Sequence, residues 1–195
     1  MILWSGNYQF DDGTIEMMSL RLQASSGAYE PNDDHYSSYH LDIKDRPDYM
    51  MKDFYTEITN HVLTKLSLYD RIRYHQSYWM QLYKPGSKGH GVHDHWSGNE
   101  VYSWVHFLKP VKKCFHFMID GQKVYPEQQN PGDFIVFPSW LLHKVDVNDT
   151  NEDRIVVAGN VMFNSLEVYY ERNVTKRTIC HRINDNLCLW ETNES

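Results

Sequence analysis

Three shortages narrow what this chain can be: it has little cysteine, no long apolar run and no basic tract. Cys114, Cys180 and Cys188 are the only cysteines in 195 residues. Three is an odd, sparse set and makes no disulfide framework, so a reducing compartment is expected. No stretch approaches the roughly 20 apolar residues of a membrane-spanning helix. The opening MILWSGNYQFDD has neither the basic start nor the apolar stretch of a secretory signal. A cytoplasmic protein with no membrane association is the expectation. The longest basic cluster is Lys109-Pro110-Val111-Lys112-Lys113, against a net charge of −7. Such a chain repels phosphate backbones, and nucleic acid is not expected as a partner. Internal repeats and low-complexity segments are absent too.

Aromatic residues, by contrast, are plentiful at 14%, with 14 Tyr and 6 Trp. They suit pleated sheet, where large flat side chains pack across strands. With 41% hydrophobic and 23% charged residues, the composition is that of an ordinary globular protein. One domain is expected over residues 1–195, its core at about 70–165, with N-terminal strands, a helix and a C-terminal extension.

Taken in order, Ile2–Phe10 and Thr14–Leu22 read as two short strands about the turn-prone Asp11-Asp12-Gly13. Residues 24–48 are polar and read as a long loop, either a lid over a site or a surface crossing. A helix is expected from an N-cap at Asp48 to about Tyr69-Asp70. Met51, Tyr55, Ile58, Val62 and Leu66 give it one apolar stripe for packing on a sheet. Short β-like runs follow: Arg73–Tyr83, the histidine segment, Glu100–Leu108, Lys113–Ile119, Gln122–Tyr125, Asp133–Phe137, His143–Val147 and Arg154–Phe163. Turns at Pro85-Gly86, Gly98-Asn99, Asp120-Gly121, Pro131-Gly132 and Asn148-Asp149 separate them. Closely spaced strands with little intervening helix indicate a mainly β sandwich or barrel. Residues 164–195 read as one more strand and an irregular tail, with Cys180 to Trp190 able to tuck back on the core.

The chemistry concentrates in His93-Asp94-His95. In an extended segment alternate side chains share a face, so His93 and His95 project together and Asp94 opposite. Two imidazoles can grip one metal ion if the fold returns a third ligand, and His143 is available in PGDFIVFPSWLLHKV. There Gly132 allows a tight turn, Phe134–Phe137 forms a buried strand, and Pro138 breaks it before His143 begins the next. Arg154 then opens an otherwise apolar strand, where a guanidinium is costly unless it meets an anion. Residues 154, 156, 158 and 160 share a face. Arg154 and Asn160 therefore bracket Val156 and Ala158, as a slot for a short dicarboxylate would require. A salt bridge from Arg154 to Glu152, Asp153 or another carboxylate is the structural alternative. Trp104 and His106, on one strand face, are either pocket-lining or core.

The order Tyr83-x-Pro-Gly86, His93-x-His95, Pro131-Gly132-Asp133, Pro138, His143, Arg154, Asn160 resembles the Fe(II)/2-oxoglutarate-dependent dioxygenases, especially small prolyl-hydroxylase-like members. The resemblance covers residues ~73–163. It implies a double-stranded β-helix (jelly-roll, cupin-like) barrel. It also implies Fe(II) on His93, His95 and His143, with 2-oxoglutarate held by Arg154 with help from Tyr83 or Asn160. O2 completes the reaction, which hydroxylates a small-molecule or peptide substrate and releases succinate and CO2. In the family the position of His95 is Asp or Glu, so this chain offers three histidines, or a site completed by Asp94 or water. Neutral imidazole is a competent Fe(II) ligand, and three of them leave a site at +2 that favours an anionic cosubstrate.

Two other readings fit the same residues. His93-x-His95 with Glu100 and His143 is similar to the cupin motifs, with Glu100 as a fourth ligand and no need of 2-oxoglutarate. A non-catalytic β-barrel used for binding is the other.

Overall fold

A computed structural model describes residues 2–66, 74–95 and 100–163, and the backbone of two further segments, 176–184 and 187–194. The expected helix end at Tyr69-Asp70 and the turn at Gly98-Asn99 lie outside the described residues.

The architecture is mainly β. A seven-stranded sheet has the order β1-β9-β6-β11-β4-β3-β2 and a four-stranded sheet the order β5-β10-β7-β8. The long strands of the larger sheet are β4 (Tyr74–Tyr83), β6 (Glu100–Lys109) and β11 (Arg154–Phe163), with β11 in the middle. β1 (Trp4–Asn7) and β9 (Asp133–Pro138) extend it on one side; β3 (His35–Ser37) and β2 (Tyr29–Glu30) extend it on the other. The smaller sheet holds β5 (His90–His93), β7 (Phe115–Ile119), β8 (Gln122–Val124) and β10 (His143–Val145). Every described pairing is antiparallel. The two sheets face each other as a jelly-roll sandwich and remain two sheets rather than one closed barrel.

Period-two alternation sorts the larger sheet's side chains into two layers. One face, with Met80, Leu82, Trp104, Leu108, Phe134, Ile155 and Val157, packs against Met18 and Leu22 of helix α1 (Asp12–Ala24) and Tyr55, Ile58 and Val62 of helix α2 (Lys52–Lys65). The other face carries Tyr83, Val105, Phe107, Ile135, Phe137 and Val156, which meet Phe115, Phe117 and Val145 of the smaller sheet. The second face is where the candidate site lies.

Four expectations from the sequence are corrected. Thr14–Leu22 is helix, not strand: Asp11 caps α1 by accepting from the Thr14 amide at 2.9 Å and hydroxyl at 2.7 Å. Its buried residues Ile15, Met18, Ser19 and Leu22 follow a helical period. Asp48 is not an N-cap. It is fully buried in a 3₁₀ turn (Pro47–Met51) that leads into α2, accepts from Ser38 Oγ, and pairs with Arg46 at 3.2 Å. Residues 24–48 are not a free loop, because β3 pairs with β4 through Tyr36↔Leu82 and Ser37↔Gln81 and so becomes sheet. Beyond residue 163 there are two strands, β12 (Lys176–Asn184) and β13 (Leu187–Glu194), paired with each other.

Candidate metal and anion site

The smaller sheet brings the histidines together. His143 opens β10 and stands directly opposite His93 of β5 in antiparallel register. His95 lies just past the end of β5, where its backbone N–H donates to Ser139 O at 2.9 Å, and its ring turns to the same side as His93. Ring centroids are separated by 4.2 Å (His93–His143), 5.2 Å (His93–His95) and 5.3 Å (His95–His143). One nitrogen from each ring lies within 4.8 Å of the others. Neither Asp94 nor Glu100 belongs to this group, although both line the same cavity.

Backbone geometry also fixes which nitrogen is available. Nδ1–H of His93 donates to Gly91 O and Nδ1–H of His143 to Leu141 O, both at 2.8 Å. A ring that donates from Nδ1 keeps its lone pair on Nε2, the arrangement a metal requires. Burial in this apolar setting holds all three rings neutral. It lowers the pKa of His93, pushes His95 down to about 4 and pushes His143 down to about 3, with neighbouring histidines adding to the effect. Neutral, convergent and pre-oriented, this donor set fits a divalent first-row metal.

On the opposite wall, Arg154 opens β11 with only 1% of its surface exposed. Its Nε, Nη1 and Nη2 have no hydrogen-bond partner among the described residues. The expected alternative of a salt bridge to Glu152 or Asp153 is not formed, since Asp153 pairs with Lys84 and Glu152 with Lys109. Arg154 Cζ sits 4.9 Å from the Tyr83 ring, and β11 and β4 pair these two residues directly. Tyr83 is fully buried, its hydroxyl also without a partner, and burial raises its pKa. Buried donors left unsatisfied are costly. An arginine and a phenol side by side thus form a dry end built for an anion.

His35 adds to that end and escaped the sequence reading. Its ring stacks on Tyr83 with centroids 4.9 Å apart and planes at 19°. It is 2% exposed, burial pushes its pKa down to about 4, and its Nδ1 has no described partner. Only the pairing of β3 with β4 brings it here, and no local motif marks it. The same strand addition makes Glu30, Asp33, His35, Ser37 and Tyr39 part of the cavity wall. The cavity holds about 400 Å³ and connects the three histidines with Arg154 along a floor of Val156, Ala158 and Asn160.

Asn160 stands at the other end of that floor, roughly 20 Å along the strand from Arg154 at about 3.3 Å per residue. Its amide bonds His95 and Ser103, at 3.3 and 2.8 Å, so Tyr83 and not Asn160 shares the arginine's end. Trp104 and His106 resolve as core. The Trp104 ring stacks between Tyr55 and Phe134, and His106 accepts from Tyr55 Oη at 3.1 Å while donating to Tyr8 O at 2.8 Å.

Residues 118–160 match the family model for 2OG-Fe(II) oxygenases. That segment includes His143, Arg154 and Asn160 and leaves His93 and His95 outside it. No match to a curated protein was found. Among solved structures, the fold is similar to that of a Pseudomonas putida prolyl-4-hydroxylase, with a TM-score of 0.60 at 12% identity over 83% of this chain and 92% of that one. It is similar to the viral collagen prolyl hydroxylase of Paramecium Bursaria Chlorella virus-1, crystallised with 2OG (TM-score 0.54, 13% identity, 83% and 97% covered). The non-heme alpha ketoglutarate dependent carbocyclase SnoK from nogalamycin biosynthesis gives a TM-score of 0.58 at 14% identity, with 81% and 78% covered. The resemblance read from the sequence is borne out, in the family match and in the jelly-roll fold.

Proposed function

We infer that this chain is a 2OG-Fe(II) oxygenase, an oxidoreductase that uses Fe(II), 2-oxoglutarate and O2. The observation that carries the reading is one cavity with three convergent neutral histidines on one wall and a buried, unpartnered Arg154 on the other. His93, His95 and His143 would hold the iron through nitrogens that are unprotonated at neutral pH. Arg154 would take the far carboxylate of 2-oxoglutarate in its fork. Tyr83 would donate its hydroxyl to the same group, and His35, stacked on the phenol, would fix the ring's orientation. Val156 and Ala158 keep the slot between these ends narrow and apolar, which excludes water.

When bound, Fe(II) supplies the activation of O2 that couples loss of CO2 from 2-oxoglutarate to oxidation of a substrate C–H bond, leaving succinate. This chain's own part is to bind, orient and keep dry. A peptidyl proline, an amino acid or another small metabolite fits the reading as substrate, with Trp79, Tyr39 and Glu30 on the cavity wall. The likeness to prolyl hydroxylases supports the first of these.

The test is anaerobic titration with Fe(II), with and without 2-oxoglutarate, following the visible charge-transfer absorption of the chelate. Wild type should show the band. His143→Ala and His95→Ala should abolish it, and Arg154→Ala should require at least tenfold more 2-oxoglutarate. Iron binding with no response to 2-oxoglutarate would favour the cupin-type chemistry, and no metal binding would sink both.

A further inference from the structure

The three histidines are not equivalent. His93 and His143 each donate Nδ1–H to a carbonyl two residues back in their own chain, at 2.8 Å. His95 has a side-chain partner instead: the group facing its Nδ1 at 3.3 Å is Nδ2 of Asn160. An amide nitrogen only donates, so His95 Nδ1 accepts and the ring hydrogen sits on Nε2. Asn160 is held in this orientation from behind, where Ser103 Oγ donates to its Oδ1 at 2.8 Å. Asn160 is 4% exposed and Ser103 2%, so bulk water does not replace these partners.

If the histidines hold a metal, as proposed above, His95 must match the other two, with its hydrogen on Nδ1 and its lone pair on Nε2. We propose that Asn160 is the positioning residue that enforces this. With its amide turned over from the orientation seen here, Oδ1 accepts from His95 Nδ1–H and Nδ2 donates to Ser103 Oγ. The two ends of an amide are nearly the same size, and a hydroxyl both donates and accepts, so the turn preserves both hydrogen bonds. The ring gives a proton from Nε2 to solvent and takes one at Nδ1, and stays neutral throughout. Asn160 thus supplies from a neighbouring strand the acceptor that the backbone gives to His93 and His143. It makes a third histidine workable at that position, because an outer partner orients a ligand and raises its basicity.

Zn(II), which is redox-silent, is the probe. Its affinity would be measured by chelator competition for wild type, Asn160→Ala and Asn160→Asp, with ring-nitrogen NMR of His95 in the wild-type protein. Asn160→Ala should weaken Zn(II) binding about 10- to 100-fold. Asn160→Asp, which can only accept from Nδ1–H, should bind at least as tightly as wild type. In the Zn(II)-loaded wild type, His95 should carry its hydrogen on Nδ1. Equal affinity for wild type and Asn160→Ala, an Asp variant as weak as the Ala variant, or metal found on His95 Nδ1 would each overturn the proposal. A role in folding alone would lower the melting temperature and leave the Zn(II) affinity of the folded variants unchanged. A wild type that takes no Zn(II) would instead remove the metal site itself, an outcome distinct from three proteins that bind alike.

Discussion

Arg154 is a cation almost fully removed from water with no described counter-charge, while Glu152 and Asp153 beside it in sequence pair elsewhere. Replacing a buried charge with an apolar side chain of similar volume often gains about 1–4 kcal/mol. Arg154→Met is therefore expected to melt at a higher temperature than wild type when no cosubstrate is present. Adding 2-oxoglutarate with Mn(II) should reverse the order. At a hundred times its dissociation constant a ligand stabilises by about 2.7 kcal/mol, and the variant has no fork to receive it. Thermal melts with and without 2-oxoglutarate measure both effects; a variant less stable than wild type without ligand would mean that Arg154 is structural. Arg154 was legible in the sequence because a lone arginine opening RIVVAGNV contradicts its apolar surroundings. His35 was not. It lies in a polar stretch, and its burial against Tyr83 depends on pairing across more than forty residues of chain.

The central strand β11 tolerates little change in shape. Gly159 points to the helix side, and a Cβ there would meet Trp104 ring atoms at 2.4 and 2.5 Å and the Ser77 carbonyl oxygen at 2.8 Å. Trp104 is itself clamped between Tyr55 and Phe134 and has nowhere to retreat. Gly159→Ala should cost about 1–3 kcal/mol or more by overpacking, read as a lower denaturant midpoint. It should also disturb the histidine site, because Asn160 is the next residue. The strands β4 to β11 were readable from alternation and turn residues. α1 was misread because Asp11-Asp12-Gly13 signals a hairpin turn as readily as a helix start. Its Ile15, Met18, Ser19 and Leu22 spacing decides the matter only once a sheet is there to bury them.

Across the whole molecule, the buried histidines set an acid limit. His35, His95 and His106 are pushed down to about 4 and His143 to about 3 from an ordinary 6.5, in each case chiefly by burial. Below pH 6.5 the unfolded chain therefore binds protons that the folded chain refuses, and stability falls with pH until the folded-state values are passed. His106 alone, locked between Tyr55 and Tyr8, contributes on the order of 3 kcal/mol across that window. Denaturant midpoints should decline steeply from pH 6.5 toward 4 and stay nearly flat, as far as these groups are concerned, from 7 to 8. A midpoint that holds level down to pH 4.5 would contradict the buried, neutral state of these rings.

The sequence by itself determined the mainly β class, the jelly-roll resemblance and the residues of the site. Alternation, turn chemistry and the constellation of His93, His95, His143 and Arg154 are all local patterns. Tertiary structure alone decided how those residues work together. It made residues 24–48 a wall of the cavity by adding β3 to a sheet edge. It put Trp104 and His106 on the helix side, left Arg154 without a carboxylate, and set Asn160 against His95 rather than beside the arginine. Those outcomes depend on which strands become neighbours and which face each presents, and both are fixed by burial summed over the whole chain.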